Sequence, residues 1–176
     1  MSSEAPSSSS DSQSHSEQSS SSVDPLHPVK LTSSDGTEYT VPYKVISQSV
    51  LVKNLIDDVG IGEDDEAIPL PNVDSATFEK VIEWCTHHSD DPEPFVDEFE
   101  DEFETARNVV ITEWDARFYA VEHEVLFDTL LAANYLDIKL LLDVGCKTVA
   151  NMMKGKTAEE IREMFGIEND FTPCVA

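Results

Sequence analysis

The sequence predicts a small α/β layer followed by a helical extension, and three observations predict it. Val29 to Val41 alternates apolar and polar residues around Asp35-Gly36, the pattern of a tight hairpin. Asp74 opens a stretch in which Phe78, Val81, Ile82 and Cys85 recur at helical period. Phe127 to Lys156 holds two amphipathic patterns joined by one short polar break, which reads as a helix pair.

The elements follow in order. Met1 to Pro28 is dominated by serine and cannot bury enough apolar surface to offset the entropy of ordering, so it reads as a disordered tail. Ser8 before Asp11 and Ser14 before Glu17 suit an acidophilic kinase, and a solvated, unmodified extension is the competing reading. In the hairpin, Asp-Gly matches a two-residue type I′ turn, Leu31, Tyr39 and Val41 point inward, and Pro42 closes the second strand. Val45 and Ile46 suit a short helical turn. Ser49 then caps a helix burying Val52, Leu55, Ile56 and Val59, which Gly60 stops. Residues 62–66 form an acidic loop, and Ala67 to Leu70 is a third strand leading into PLPNV. Asp74 is the N-cap of the next helix, which packs on the hairpin.

From Ser89 to Glu104 nine acidic residues favour an open loop by self-repulsion. Phe95, Phe99 and Phe103 within it fall at four-residue spacing. They either line one face of a helix that docks on this chain or a partner, or lie scattered in a disordered loop. Trp114, Phe118 and Tyr119 are packing residues ahead of the helix pair. In the first helix of the pair Phe127, Leu130 and Leu131 form the apolar stripe. In the second, Ile138, Leu141, Leu142, Cys146, Val149, Met152 and Met153 do so, with Lys139, Asp143, Lys147 and Lys154 facing out. Thr157 and Glu160 form a capping box for a last helix with Ile161, Met164 and Phe165 on its apolar face, and Gly166 ends it.

Composition narrows the function. The formal charge of −25, from 36 acidic against 11 basic residues, repels phosphate backbones and anionic lipid, which argues against nucleic-acid and membrane-surface partners. The N-terminus has neither a basic region nor a hydrophobic stretch of signal type, so the expectation is a soluble, non-secreted chain. Three cysteines, two on apolar helix faces, make a disulfide framework improbable and point to cytosol or nucleus. Gly155-Lys156-Thr157 mimics the end of a phosphate-binding loop, yet Ala150 stands where that loop needs glycine and the run follows a helix. Cys85, His87 and His88 lack a second ligand group for a metal, and no side chain sits in a nucleophile motif. No catalytic residue, metal or cofactor is expected.

The wording of the helix pair says more. LAANYLDIK followed by LLDV, CKTVAN and GKTAEEIREMF, together with SSDG, PLPNV, EWCTHH and the WDxxF-like segment at Trp114, closely resembles the S-phase kinase-associated adaptor family, over roughly Val29 to Phe171. The resemblance implies a BTB/POZ-type α/β domain over 29–138, with a small three-stranded sheet and an acidic loop at 89–110. An α-helical F-box-binding extension follows over 139–171, and 172–176 is a short, atypical end. It implies a non-catalytic adaptor in a cullin-RING ubiquitin ligase that links F-box proteins to a cullin. Asn134 and Tyr135 are then expected on the cullin-facing surface. Combined with the helical stripes, the resemblance assigns Leu142, Cys146, Val149, Met153, Ile161, Phe165 and Ile167 to the F-box surface. The alternative is a BTB/POZ interaction module that self-associates, as a homodimer without an F-box partner, or occupies a cullin without a receptor. Where the family usually continues with a charged helical tail, this sequence reads Thr172-Pro173-Cys174-Val175-Ala176, and the expectation is weaker F-box binding than in a relative carrying the tail.

Overall fold

The computed structural model describes residues 24–59, 67–91 and 108–168, excepting the side chain of Val59. The readings for the Ser-rich tail, Gly60, the 62–66 loop, Phe95, Phe99, Phe103 and the last residues lie outside them.

Strands β1 (Pro28–Ser33) and β2 (Glu38–Pro42) pair antiparallel with Leu31 opposite Tyr39 and Val29 opposite Val41. The strand β3 (Ile68–Leu70) adds in parallel to the other edge of β1, giving the order β2-β1-β3. The expected three-stranded sheet is present, and the type I′ turn is not. Gly36 has φ of +85° whereas Asp35 does not enter the left-handed region that a type I′ turn requires of both central residues. Ser33 N–H donates to Thr37 O and Gly36 N–H to Ser33 O, so three residues span the turn. The physical reason lies in Asp35, whose carboxylate accepts from Ser33 Oγ and from Ser75 Oγ across the sheet end. Those two hydrogen bonds hold the pKa of its carboxyl well below the ordinary carboxylate range. Leu31 and Val41 are buried as expected, while Tyr39 is half-buried, set edge-on to Phe78 with its hydroxyl donating to Ser75 O at 3.2 Å.

Seven helices cover the sheet and extend from it among the described residues. They are α1 (Tyr43–Ile46), α2 (Val50–Val59), α3 (Ser75–His87), α4 (Glu113–Phe118), α5 (His123–Leu136), α6 (Lys139–Met153) and α7 (Ala158–Phe165). The predicted caps are in place. Asp74 accepts from Thr77 N–H at 2.7 Å, and Thr157 and Glu160 form the reciprocal capping box of α7. Gly166 ends α7 in the left-handed conformation. The core joins Val29, Leu31 and Val41 of the sheet to Phe78, Val81, Trp84 and Cys85 of α3, then to Leu126, Ala133 and Leu136 of α5 and Leu141 and Val144 of α6.

Two stripes differ from the sequence reading. In α5 the buried residues are Leu126, Thr129, Ala132, Ala133 and Leu136, whereas Leu131 is 68% and Phe127 38% exposed and Leu130 is half-buried. In α6 the expected single stripe is two faces. Leu141, Val144 and Gly145 turn inward, Leu142 and Val149 are half-buried at the edge, and Cys146 is exposed. Small residues decide both cases, because Ala132, Ala133 and Gly145 allow neighbouring helices close enough that bulkier residues beside them are left outside.

Gly145 shows how tight that approach is. A Cβ there would lie 2.3 Å from Leu130 Cδ2 and 3.0 Å from the Tyr119 hydroxyl, and that hydroxyl is held by donating to Leu141 O at 2.7 Å. Ala favours a helix by up to about 1 kcal/mol over Gly, but the displaced Tyr119 outweighs it. Gly145→Ala should therefore cost a net ~1–2 kcal/mol of stability, read as a lowered midpoint in urea. An unchanged or raised midpoint would mean that Leu130 yields freely.

Candidate interaction surfaces

The corner between α5 and α6 is built by a left-handed residue, Asp137 at φ 53°. Ile138 N–H reaches back to Ala133 O at 2.9 Å and Asp137 N–H to Asn134 O at 3.3 Å, the paired bonds of a Schellman stop. This corner is fastened to α2. Buried Ser49 donates to Leu136 O at 2.5 Å while accepting from Val52 N–H, and Val50 N–H donates to Asp137 O. The end of α5 thereby caps the start of α2, whose free N–H groups would otherwise go unpaired. Asn134 stands exposed on this rigid corner, and Tyr135 is half-buried against the core.

The second surface runs along α6 and α7. Leu142 and Val149 pack their inner sides on the core and leave the rest open, with exposed Cys146 between them in sequence and half-buried Met153 one turn on. In α7 no residue is buried, and Ile161 and Phe165 are half-buried. Phe165 meets the start of α5 edge-on, 5.3 Å from the Phe127 ring and 5.2 Å from that of His123. Ile167 is 55% exposed just past the helix, its N–H closing a second Schellman bond to Arg162 O at 2.9 Å. Phe127 and Leu131 extend this apolar surface onto α5, and sequence reasoning missed them by turning them inward. The one available signal was Thr129 and Ala132-Ala133 beside them, small enough to take the inner positions.

Local electrostatics are modest. Partial burial and nearby Asp143 raise the Cys146 thiol above its ordinary range, so it stays protonated near neutrality. Burial pushes Cys85 up to about 12, leaving it an inert core thiol. The Thr157 hydrogen bonds lower the Glu160 carboxyl, as its capping role demands. His87 stacks on Trp114 with ring centroids 3.9 Å apart, and His88 lies between Asp91 and Asp115. Among the described residues no group of three or more metal-ligating side chains is placed to hold an ion, and no helix is long and apolar enough to cross a membrane.

A small POZ-type layer with a rigid exposed corner and an open apolar surface on appended helices defines a protein-interaction module. Comparison with known proteins gives its family. Residues 27–90 match the tetramerisation domain of the Skp1 family and residues 139–174 match its dimerisation domain. Similar relatives include three fungal proteins named E3 ubiquitin ligase complex SCF subunit sconC. That of Neosartorya fischeri is 57% identical over 82% of this chain and 89% of its own length. Those of Arthroderma otae and Talaromyces marneffei are 54% identical over 82% of this chain and 86% and 88% of theirs. The chain belongs to the Skp1 family.

Proposed function

We propose that this chain is the adaptor subunit of an SCF-type E3 ubiquitin ligase, bridging a cullin scaffold to F-box substrate receptors without catalysing a step or using a cofactor. The observation that carries the reading is the apolar surface of α5, α6 and α7, which the fold leaves open although its helices are packed. A surface of this kind marks a partner site, and the relatives are SCF subunits by name. The corner at Asn134 and Tyr135 is the cullin-facing site. The open stripe of Leu142, Cys146, Val149 and Met153, continued by Ile161, Phe165 and Ile167, takes the F-box. The charge of −25 supports partners other than nucleic acid or anionic membrane, and the odd number of cysteines supports a place in cytosol and nucleus.

Replacing Asn134 and Tyr135 together with Lys tests the corner. Charges desolvated at an interface core without a partner should lower cullin capture at least tenfold, with the melting temperature nearly unchanged. A folded double variant that still captures cullin as well as the wild type would remove these residues from the site. Without a receptor, the same open surface should self-associate. Sedimentation velocity should show a dimer that an F-box fragment dissolves, and a dimer indifferent to the fragment would favour a self-associating module instead.

A further inference from the structure

The corner at Asn134 is not made by α5 alone. Val50, the first residue of α2, gives its N–H to Asp137 O at 3.3 Å, and Asp137 N–H in turn reaches Asn134 O at 3.3 Å. Two hydrogen bonds therefore carry the surface from Asn134 to Val50, whose side chain is 44% exposed. Neither burial nor helix formation explains a valine at this place. A β-branched residue is a poor helix former, and the first turn of a helix favours proline or an acid, of which the first turn of α2 has no acid.

We propose that Val50 belongs to the cullin-facing site, where it takes an apolar side chain of the cullin. The inference rests on the reading of Asn134 and Tyr135 as that site. Size requires neighbours. An interface of ordinary area covers about 800 Å² on each partner, roughly 30 Å across, so it extends well beyond two side chains, and Val50 is bonded to the corner. Rigidity favours it as a contact. Ser49 is tied to Leu136 O and Val50 to Asp137 O, so the first turn of α2 is set against the corner before a partner arrives, and little order is imposed on binding. Chemistry sets what it meets. Lys53, one turn along α2, and Asn134 and Asp137 on the corner are all exposed, so the valine is an apolar contact with polar neighbours, the make-up of an interface with a polar rim. The F-box fits this place less well, because Phe165 meets α5 at Phe127, ten residues and about 15 Å of helix from Asp137.

The test titrates the full chain with full-length cullin from the same proteome and, separately, with an F-box fragment, and follows the melting curve of each variant. Val50→Asp should lower cullin affinity about tenfold and leave F-box affinity unchanged. It should melt no lower than the wild type, because an acid in the first turn of α2 complements the helix dipole. Val50→Arg should lose as much cullin affinity, and Val50→Ile should stay within about twofold of the wild type, as an apolar contact requires. The double Lys variant of Asn134 and Tyr135, run in the same titration, keeps the two readings apart. If it loses cullin and Val50→Asp does not, the corner stands and the inference falls. If it binds as the wild type does, the corner is withdrawn and Val50 with it. Affinity retained by Arg but not by Asp would reduce the effect to charge and overturn the apolar contact. An equal loss of F-box affinity in Val50→Asp, or a melting temperature lowered in step with binding, would overturn it too, by giving Val50 a role in the fold. So would a change in the sedimentation of the chain alone on Val50→Asp, which would assign Val50 to a contact with a second copy.

Discussion

Asp115→Ala is expected to cost about 3–5 kcal/mol, the scale of removing one partner from a buried charged network. Asp115 is 1% exposed, and each of its oxygens is fully used. Oδ1 accepts from the Trp84 indole N–H at 3.2 Å and meets His88 Nε2 at 3.1 Å. Oδ2 accepts from Thr112 N–H at 3.1 Å and from the Thr112 hydroxyl at 2.7 Å. One carboxylate therefore caps α4 and fastens it to the last turn of α3. Alanine strands the buried Trp84 indole N–H, leaves His88 with Asp91 alone, and loses the cap as well. Asp115→Asn keeps one acceptor oxygen and should cost roughly half as much. Trp84 and Trp114 both adjoin the site, so tryptophan fluorescence against urea reads the change directly. An Ala variant with a midpoint within error of the wild type would show that the network contributes nothing net, and that packing of Trp84 and the His87–Trp114 stack hold α3 to α4.

The second large effect should appear in binding, with folding left intact. Leu131 is 68% exposed at the centre of the outer face of α5, so Leu131→Asp should leave stability within about 0.5 kcal/mol. A carboxylate desolvated at the centre of an F-box interface should nevertheless cost about 100-fold in affinity. Phe165→Ala should also abolish F-box binding, for a reason the fold adds. Phe165 contacts Phe127 and His123 of its own chain, so truncating it removes a contact surface and the aromatic contact that sets α7 against α5. Cullin capture should be largely unchanged in Phe165→Ala, whereas Leu131 lies one helical turn from the proposed cullin-facing Asn134 and Tyr135, so Leu131→Asp reads both surfaces. Calorimetric titration of an F-box fragment decides between outcomes. Wild-type affinity in Leu131→Asp would confine the F-box interface to α6 and α7, and loss of cullin capture together with F-box binding in Phe165→Ala would indicate a folding defect.

The local punctuation of this chain was legible before its fold. The caps at Asp74 and Thr157 with Glu160, and the stop at Gly166, each involve groups within a few residues, so their hydrogen bonds follow from residue type and spacing. The hairpin, the third strand and the helix pair were likewise readable from period, and the family from the wording of the segments at either end. The tertiary structure alone decided which side of each helix faces in. Phe127 and Leu131 satisfy a helical period as well as Leu126 and Ala133 do. The choice between them depends on how closely α3 and α6 approach, which the small residues at 132, 133 and 145 permit. The turn at Asp35 followed the same logic, since the expected type I′ geometry gave way to a carboxylate pulled across to Ser75, forty residues on. Asp115 reads in sequence as one more acid among 36, and its role appears only when Trp84, His88 and Thr112 converge on it. Periodicity states that a helix has an apolar side, and only the partner packed against it determines which residues that side keeps from water.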